Sequence, residues 1–229
     1  MKWSVPKIWK GGDVWIIGGG PSITTEFGIP NEITEQVLKG TVPISSYAEY
    51  LHPIFYKHII GINLAFMIAD WFDIIFLGDS TFFSKYEEGL YHYPKLVVSC
   101  ASNTVNVPWV KHLAMHPKSF GISPIPNCVS WNGNSGAAAI SVAVHAGAKR
   151  IFLLGFDMVS APVGSHWHNK YKRKIVNGVM KEPPYNKHLE GFSTIAQDLT
   201  KLGVEVYNVS PNSKIKQFPK ITLKEALQL

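Results

Sequence analysis

Short runs of hydrophobic residues recur along the chain, and segments with a helical pattern separate them. Within a run the apolar residues are consecutive, whereas a strand with one face in water alternates apolar and polar residues. Consecutive apolar residues are typical of parallel strands that are covered on both faces. The pattern predicts strands at residues 14–17, 58–63, 73–77, 95–98, 151–154 and 204–209.

The clearest helix lies between Asn134 and Gly147, where five alanines keep the helix thin enough to lie close against a sheet. Further helices are predicted at residues 32–38, 80–90 (with Ser80 as N-cap), 188–202 and 223–227, with a short one near 109–115. Because strands and helices alternate, the predicted fold class is α/β: a Rossmann-like, mostly parallel sheet of about six strands with helices on both faces. The strand at 13–17 is expected near the centre, beside 151–155.

Polar and glycine residues stand where several of the predicted strands end. In an open α/β sheet, ligands bind beyond the carboxyl ends of the strands. The glycine turn after the first strand lets the backbone approach a ligand closely and exposes its N–H groups. It is not the dinucleotide-binding fingerprint, because Ile23 occupies the sixth position. The predicted ligand-binding residues are Gly18, Gly19, Gly20, Pro21, Ser22, Asn63, Asn134, Ser135, Gly155, Phe156 and Asp157.

Composition narrows the class of protein and of ligand. With 46% hydrophobic and 17% charged residues, the chain is that of a compact globular protein. The net charge of +6 is partly local, because residues 170–174 read KYKRK. This excess favours an anionic small ligand or a polyanionic acceptor, with nucleic acid as a less favoured partner.

Three further features predict a cytoplasmic protein. No stretch approaches the ~20 apolar residues that a membrane span needs. The N-terminal residues lack the unbroken apolar core of a signal peptide. Cys100 and Cys128 have no metal-ligand spacing and are expected to be free thiols in a reducing compartment.

The segment at about 158–187 is polar, basic and long for a connection in a compact domain. Such connections usually have ~2–6 residues, and longer ones are often active-site lids. We therefore expect one nucleotide-binding domain, residues 1–229, with a lid insertion at about 158–187. A surface excursion that contacts another protein is the alternative.

Several short motifs, in order along the chain, resemble one known superfamily. They are the glycine turn Gly18 to Ser22, Asn63 after a strand, Asn134-Ser135-Gly136 opening the alanine-rich helix, Gly155-Phe156-Asp157, and VEVYNVSPNS near the end. The superfamily includes the bacterial sialyltransferases, which use CMP-sialic acid, and the 6-hydroxymethylpterin diphosphokinase-like proteins. The chain is more closely similar to uncharacterised tailed-phage proteins of this type. The resemblance implies a nucleotide-binding α/β fold with phosphate-linked transfer chemistry, in the host cytoplasm if the protein is phage-encoded.

Three positions depart from the sialyltransferase pattern. Gly19 stands where those enzymes have asparagine, and Asn132 stands where they have an arginine three residues before the serine that matches Ser135. The tyrosines that follow their Gly-x-Asp strand end are replaced by residues 165–168, Ser-His-Trp-His. These departures argue against CMP-sialic acid as the donor, and they leave a nucleotide site of the same shape.

Histidines are the candidate catalytic residues. The resemblance implies a general-base role for His188, and imidazole suits it because an unperturbed pKa of ~6.5 leaves the ring largely neutral at pH 7. His166 and His168 would point the same way on an extended segment. They could hold a phosphate or, with Asp79 or Asp157, a divalent metal. Packing or surface histidines are the alternative.

Two classes of function remain open. The first is a nucleotide-dependent transferase, which either moves a sugar from a nucleotide-sugar with no required cofactor or moves a diphosphate with Mg²⁺ held by Asp79 and Asp157. The second is a phage protein that binds a nucleotide without turnover. The lid histidines favour the enzyme. The sequence contains no Walker A, GxSxG or HExxH motif.

Overall fold

A computed structural model describes residues 2–159, 166–171, 175–176, 179–180 and 184–229, with only the backbone at 175–176 and 179–180. Residues 160–165, 172–174, 177–178 and 181–183 of the predicted lid, including most of its basic run, therefore lie outside the described residues. The strands are β1 (Asp13–Ile17), β2 (His58–Ile62), β3 (Ile74–Leu77), β4 (Leu96–Ser99), β5 (Lys111–His112), β6 (Ala114–Met115), β7 (Cys128–Val129), β8 (Arg150–Leu154), β9 (Ile175–Val176), β10 (Val179–Met180) and β11 (Glu205–Val209).

Seven of these strands form one sheet in the order β11-β8-β1-β2-β3-β4-β5. Every neighbouring pair in it is parallel. The predicted α/β, Rossmann-like fold is confirmed, and so is the central position of β1 between β8 and β2. The sheet has one strand more than the six expected, because the two-residue strand β5 extends its edge.

Helices cover both faces of the sheet. They are α1 (Ser22–Glu26), α2 (Asn31–Lys39), α3 (Ser80–Tyr91), α4 (Ser135–Ala146), α5 (Tyr185–Leu189), α6 (Gly191–Leu202) and α7 (Leu223–Ala226), with 3₁₀ segments at Ile44–Ile54, Asn63–Met67 and Ser102–Thr104. None of the helices in the described part of the chain is long and apolar enough to cross a membrane.

Alternate residues of the central strand β1 enter two different hydrophobic cores. Trp15 and Ile17 pack in a core with side chains of α1, α2 and α3. Val14 and Ile16 pack in the other core with side chains of α4 and α6. Because both faces of the strand are buried, both sets of side chains must be apolar, which explains the uninterrupted hydrophobic runs.

Tertiary contacts override the local pattern in three places. The helix predicted near 109–115 is wrong, because Lys111 and His112 pair with strand β4 and continue the sheet. The predicted N-cap Ser80 is also wrong, since the Oδ1 of Asp79 accepts the N–H of Phe82 at 2.6 Å and caps α3. The helix predicted at 188–202 is two helices, α5 and α6.

Candidate functional site

A cleft lies at the carboxyl ends of the central strands, where the glycine turn, helix α4 and the described part of the lid meet. Its volume is about 120 Å³. It is lined by Gly18, Gly19, Ile62, Asn63, Leu64, Asn134, Ser135, Gly136, Gly155, Phe156, Met158, His166, Trp167, His168 and Tyr171. Nine of the predicted site residues are among these: Gly18, Gly19, Asn63, Asn134, Ser135, Gly155, Phe156, His166 and His168.

The glycine turn is held tightly against the end of strand β8. The N–H of Gly18 donates to the carbonyl of Leu154 at 2.7 Å, and the N–H of Gly20 donates to the carbonyl of Gly155 at 2.8 Å. A β-carbon on Gly18 would lie 2.7 Å from the oxygen of Gly155. Glycine at position 18 therefore allows the ends of β1 and β8 to lie in contact. The amides of Gly18 and Gly20 both donate hydrogen bonds within the protein.

Asp157 stabilises the end of this turn through hydrogen bonds with Ser22. Its carboxylate accepts the N–H of Ser22 at 3.2 Å and the hydroxyl of Ser22 at 2.9 Å. The same hydroxyl is 2.9 Å from that of Ser210 after strand β11. Burial raises the pKa of Asp157, and the hydrogen bonds from Ser22 oppose that shift. Pro21, Ser22 and Asp157 line a neighbouring pocket of about 440 Å³ and not the cleft itself.

Helix α4 directs its N-terminus into the cleft. The Oδ1 of Asn134 accepts the N–H of Ala137 at 2.9 Å, which caps the helix. The amides of Ser135 and Gly136 precede this first capped amide and belong to the cleft lining. Unpaired amides and the helix dipole make such an end attractive to an anion.

Asn63 occupies the cleft in a conformation that few residues adopt. It follows strand β2 with a φ of 51°, in the left-handed region that asparagine tolerates better than most residues. Its Oδ1 is buried and has no hydrogen-bond partner among the described residues. A buried acceptor left unpaired in this way costs about 1–3 kcal/mol, so a ligand that donates to it would be favoured.

Trp167 anchors the described part of the lid to the glycine turn. Its indole N–H donates to the carbonyl of Gly18 at 2.8 Å, and its backbone N–H donates to that of Gly19 at 3.2 Å. The hydroxyl of Tyr47 donates to the carbonyl of Trp167 at 3.1 Å. The side chain is 1% exposed. The segment around Trp167 is therefore packed against the glycine turn and Tyr47.

His166 and His168 stack on each other, with ring centroids 5.0 Å apart, and Tyr171 meets both rings edge-on. Burial lowers the pKa of His166 to about 4 and that of His168 to about 3. Both imidazoles are therefore neutral at pH 7, and they contribute hydrogen-bonding groups without a positive charge. His166 also covers Gly19, since a β-carbon there would lie 2.8 Å from its Cδ2.

His188, in helix α5, lies beside the N-terminus of α4 and does not belong to the cleft lining. Its carbonyl accepts a hydrogen bond from the Nδ2 of Asn134 at 3.0 Å. Burial lowers its pKa, and its charge in turn contributes to the lowered pKa of His166. Asn134 thus places α5 and the predicted base next to the cleft.

The two predicted metal ligands, Asp79 and Asp157, have different structural roles. The carboxylate of Asp79 caps α3, and that of Asp157 binds Ser22. Within the described residues there is no group of three His, Cys, Asp or Glu side chains that could hold a metal ion.

Six residues of the cleft lining were not among the predicted site residues: Ile62, Leu64, Gly136, Met158, Trp167 and Tyr171. Trp167 and Tyr171 flank the predicted histidines, and Met158 follows Asp157 with a φ of 54°. The pKa of Tyr171 is raised mainly by desolvation, so its hydroxyl stays protonated and can donate. Trp167 and Tyr171, within and just after the histidine pair, were the available signal, because buried tryptophan and tyrosine usually need a hydrogen-bond partner.

Asn132, which replaces an arginine of the sialyltransferase pattern, has a structural role. Its Oδ1 accepts the N–H of Gly121 at 2.7 Å, and its Nδ2 donates to the carbonyls of Gly121 and Ser130 at 2.9 and 3.0 Å. The side chain is fully buried. It braces the loop before α4 and does not reach the cleft lining.

Known proteins are similar to this chain in structure and not in sequence. No protein-family model matches the chain. No curated protein sequence matches it significantly. The MAf glycosyltransferase from Magnetospirillum magneticum AMB-1 superposes on 97% of this chain with a TM-score of 0.57 and 12% identity. This chain spans 36% of that protein, about a third of its length.

Two structures of the sialyltransferase CstII are also similar, at lower TM-scores. One, from Campylobacter jejuni in complex with the substrate analogue cytidine-5'-monophosphate, has a TM-score of 0.47 and 15% identity, covering 92% of this chain and 84% of CstII. The other, in complex with a trisaccharide acceptor and CMP, has a TM-score of 0.46 and 16% identity, covering 92% and 86%. At such identities the likeness is one of fold.

Proposed function

We propose that this chain is a nucleotide-dependent transferase of the glycosyltransferase type, which binds a nucleotide-sugar donor in the cleft. The observation that carries the proposal is the convergence of three features at one sheet edge. They are a glycine turn, the amino end of α4, and the buried amide oxygen of Asn63, which has no hydrogen-bond partner among the described residues. The fold shared with a glycosyltransferase is consistent with it.

The phosphate of the donor would lie between Gly19 and the start of α4. The amides of Gly18 and Gly20 bind β8 and its extension, whereas the amide of Gly19 has no hydrogen-bond partner among the described residues and could bind a ligand. Ser135 and Gly136, at the start of α4, line the same cleft, and their amides would bind the phosphate from the helix side. The hydroxyl of Tyr171 supplies a neutral donor on the lid side.

The nucleoside would reach Asn63, whose buried Oδ1 accepts a hydrogen bond from a base amino group or a ribose hydroxyl. Because His166 covers Gly19, donor binding requires that imidazole to turn aside or to bond the phosphate directly. The proposed domain organisation is a single unit with the lid at about 158–187.

His188 is the proposed general base, which takes the proton from an acceptor hydroxyl as the sugar is transferred. Its lowered pKa keeps the imidazole neutral at pH 7, so the ring is ready to accept a proton. The hydrogen bond from Asn134 to its backbone holds it beside the phosphate-facing helix end. His166 and His168 would contact the donor.

The glycosyltransferase reaction proposed here needs no metal. A diphosphokinase reaction would place Mg²⁺ on Asp79 and Asp157, but both carboxylates already accept hydrogen bonds from backbone amides in separate places. The arrangement of these two residues therefore favours sugar transfer over diphosphate transfer.

The test begins with binding and product formation. A panel of nucleotide-sugars and ATP is offered to the protein, binding is measured by calorimetry, and products are identified by mass spectrometry. Asn63→Ala is expected to weaken binding of the best nucleotide roughly tenfold, the loss of one buried hydrogen bond. Asn106→Ala, at an exposed asparagine, serves as the control. Equal nucleotide affinity in the wild type and in Asn63→Ala would contradict the proposed site.

The base is tested separately. His188→Gln should lower turnover by about 10²–10⁴ while leaving nucleotide affinity near its wild-type value. His92→Gln, at an exposed histidine, is the matched control. Wild-type turnover in His188→Gln would show that another group accepts the proton.

A further inference from the structure

A second pocket lies at the other end of helix α4, away from the cleft. Its volume is about 550 Å³, within the ~300–1,000 Å³ of typical small-molecule sites. We call it the rear pocket and define it by Lys118, Phe120, Ser130, Val144, Lys201 and Leu202, which belong to its lining. Val144 is about 14 Å along the helix from Ser135 at the cleft.

One wall of the rear pocket is apolar and open to solvent. Phe120 is 41% exposed and Leu202 is 54% exposed, and half-buried Val144 lies between the elements that carry them. Large apolar side chains that flank a cavity are typical of a binding surface. The wall therefore fits the aryl or alkyl body of a ligand.

The charged groups of the rear pocket favour an anion. Lys118 and Lys201 provide two ammonium groups, and Asp198 is the carboxylate among its lining residues. Asp198 already accepts the N–H of Ile122 at 3.0 Å and lies 3.7 Å from the ammonium of Lys201. Within the described residues Lys118 forms no ion pair, so its charge is available to a ligand.

Two buried polar atoms of the lining residues lack partners. The hydroxyl of Ser130, a residue 1% exposed, has no hydrogen bond among the described residues, and neither has the Nε2 of His145. Burial lowers the pKa of His145, so its ring is neutral at pH 7. Buried polar atoms without partners are rare in native proteins and call for an explanation, such as a water or a ligand.

We propose that the rear pocket binds a small amphipathic anion. The apolar body of the ligand lies against Phe120, Val144 and Leu202, and its acidic group, a carboxylate, sulfonate or phosphate, lies at Lys118 and Lys201. Ser130 and His145 belong to the same lining. The site is separate from the proposed nucleotide cleft and does not depend on the transferase activity.

The probe for this site is 8-anilinonaphthalene-1-sulfonate, which has an aryl body and one sulfonate. Its dissociation constant is measured by fluorescence titration with the folded wild-type protein. The neutral N-phenyl-1-naphthylamine, which has the same body without the sulfonate, is expected to bind several-fold more weakly. Equal affinity of the two probes would overturn the anionic part of the proposal.

Variants of the lining residues, each with a matched control elsewhere on the protein, show where the probe binds. Lys118→Met should weaken it roughly two- to fivefold, as for an exposed ion pair, and Lys224→Met, with the same change of charge elsewhere, should not. Leu202→Glu should weaken it roughly tenfold, because the new carboxylate repels the sulfonate and contact area is lost. Its control is Ile8→Glu, at a side chain 53% exposed.

Three results would overturn the proposal. They are equal affinity in the pocket variants and their controls, displacement of the probe by CMP, and NMR shifts that fall outside residues 116–130, 144–145 and 194–202. Weaker binding in Lys118→Met and Leu202→Glu alone, with no competition by CMP, supports it. Circular dichroism of each variant confirms that a loss of binding does not reflect unfolding.

Discussion

The indole N–H of Trp167 donates a 2.8 Å hydrogen bond to the carbonyl oxygen of Gly18, across 149 positions of the chain. This bond joins the segment around Trp167 to a carbonyl group of the glycine turn. The amides of Gly18 and Gly20 in the same turn donate to carbonyls at the end of β8. The backbone N–H of Trp167 adds a second bond, to Gly19. Moving the segment around Trp167 away from the glycine turn would therefore break both hydrogen bonds.

Trp167→Phe is expected to lower the free energy of unfolding by about 1–3 kcal/mol, because the buried carbonyl of Gly18 loses its donor while most of the aromatic packing remains. Urea unfolding measures the change. Trp71→Phe is the control, since the indole of Trp71 donates no hydrogen bond within the described residues and is only partly buried. A change no larger than that of Trp71→Phe would contradict the anchoring role.

The stability of the protein should fall on acidification because of His166 and His168. Their folded-state pKa values, about 4 and about 3, lie below the unfolded value of ~6.5. Below pH 6.5 the unfolded chain therefore binds protons that the folded chain does not. The stabilising effect of neutral imidazoles is complete above pH 6.5 and is lost as the pH falls towards 4 and 3.

In that pH window each imidazole contributes a slope of about 1.4 kcal/mol per pH unit. Unfolding free energies measured between pH 7.5 and 4.5 should decline less steeply in the His166→Gln, His168→Gln double variant than in the wild type. The comparison cancels the contributions of other titrating groups, including His188 and Asp157. Parallel pH profiles for the two proteins would show that these imidazoles are not buried as neutral groups.

Two neighbouring glycines should respond differently to substitution. A β-carbon on Gly20 would overlap the Oδ2 of Asp157 and lie 2.6 Å from the carbonyl of Gly155, whereas the three described atoms nearest to one on Gly19 all belong to the flexible side chain of His166. Gly20→Ala should therefore destabilise the fold by about 1–3 kcal/mol, as overpacked sites do. Gly19→Ala should cost clearly less in the same unfolding experiment, and the reverse order would refute this geometry.

Gly19→Val is expected to abolish nucleotide binding, because the added side chain fills the space that a phosphate would approach. Calorimetry with the nucleotide that binds the wild type best provides the measurement, and circular dichroism confirms that the variant is folded. Unchanged affinity for every nucleotide that the wild type binds would rule out a phosphate at this turn.

The lid histidines are tested by His166→Ala and His168→Ala, singly and together, once a donor is known. We expect a large loss of turnover with nucleotide affinity roughly kept, because these imidazoles lie over the proposed phosphate position. Full activity in the double variant would favour the alternative, a surface segment that contacts another protein.

The sequence alone predicted the fold class and the edge at which the cleft lies. Both follow from local information: uninterrupted apolar runs require strands buried on two faces, and the carboxyl ends of parallel strands meet at one edge. For that reason β1, β2 and α4, with Gly18, Asn63 and Asn134 at their ends, were predictable from the sequence.

Only the tertiary structure decided which way the polar groups at that edge point. Asp157 and Ser22 bind each other behind the turn because their elements approach from opposite ends of the chain, and no local pattern contains that distance. The carboxylate of Asp79 caps helix α3. The burial that keeps His166 neutral comes from Trp167, Tyr171 and the glycine turn packing together, and such packing exists only once the chain has folded.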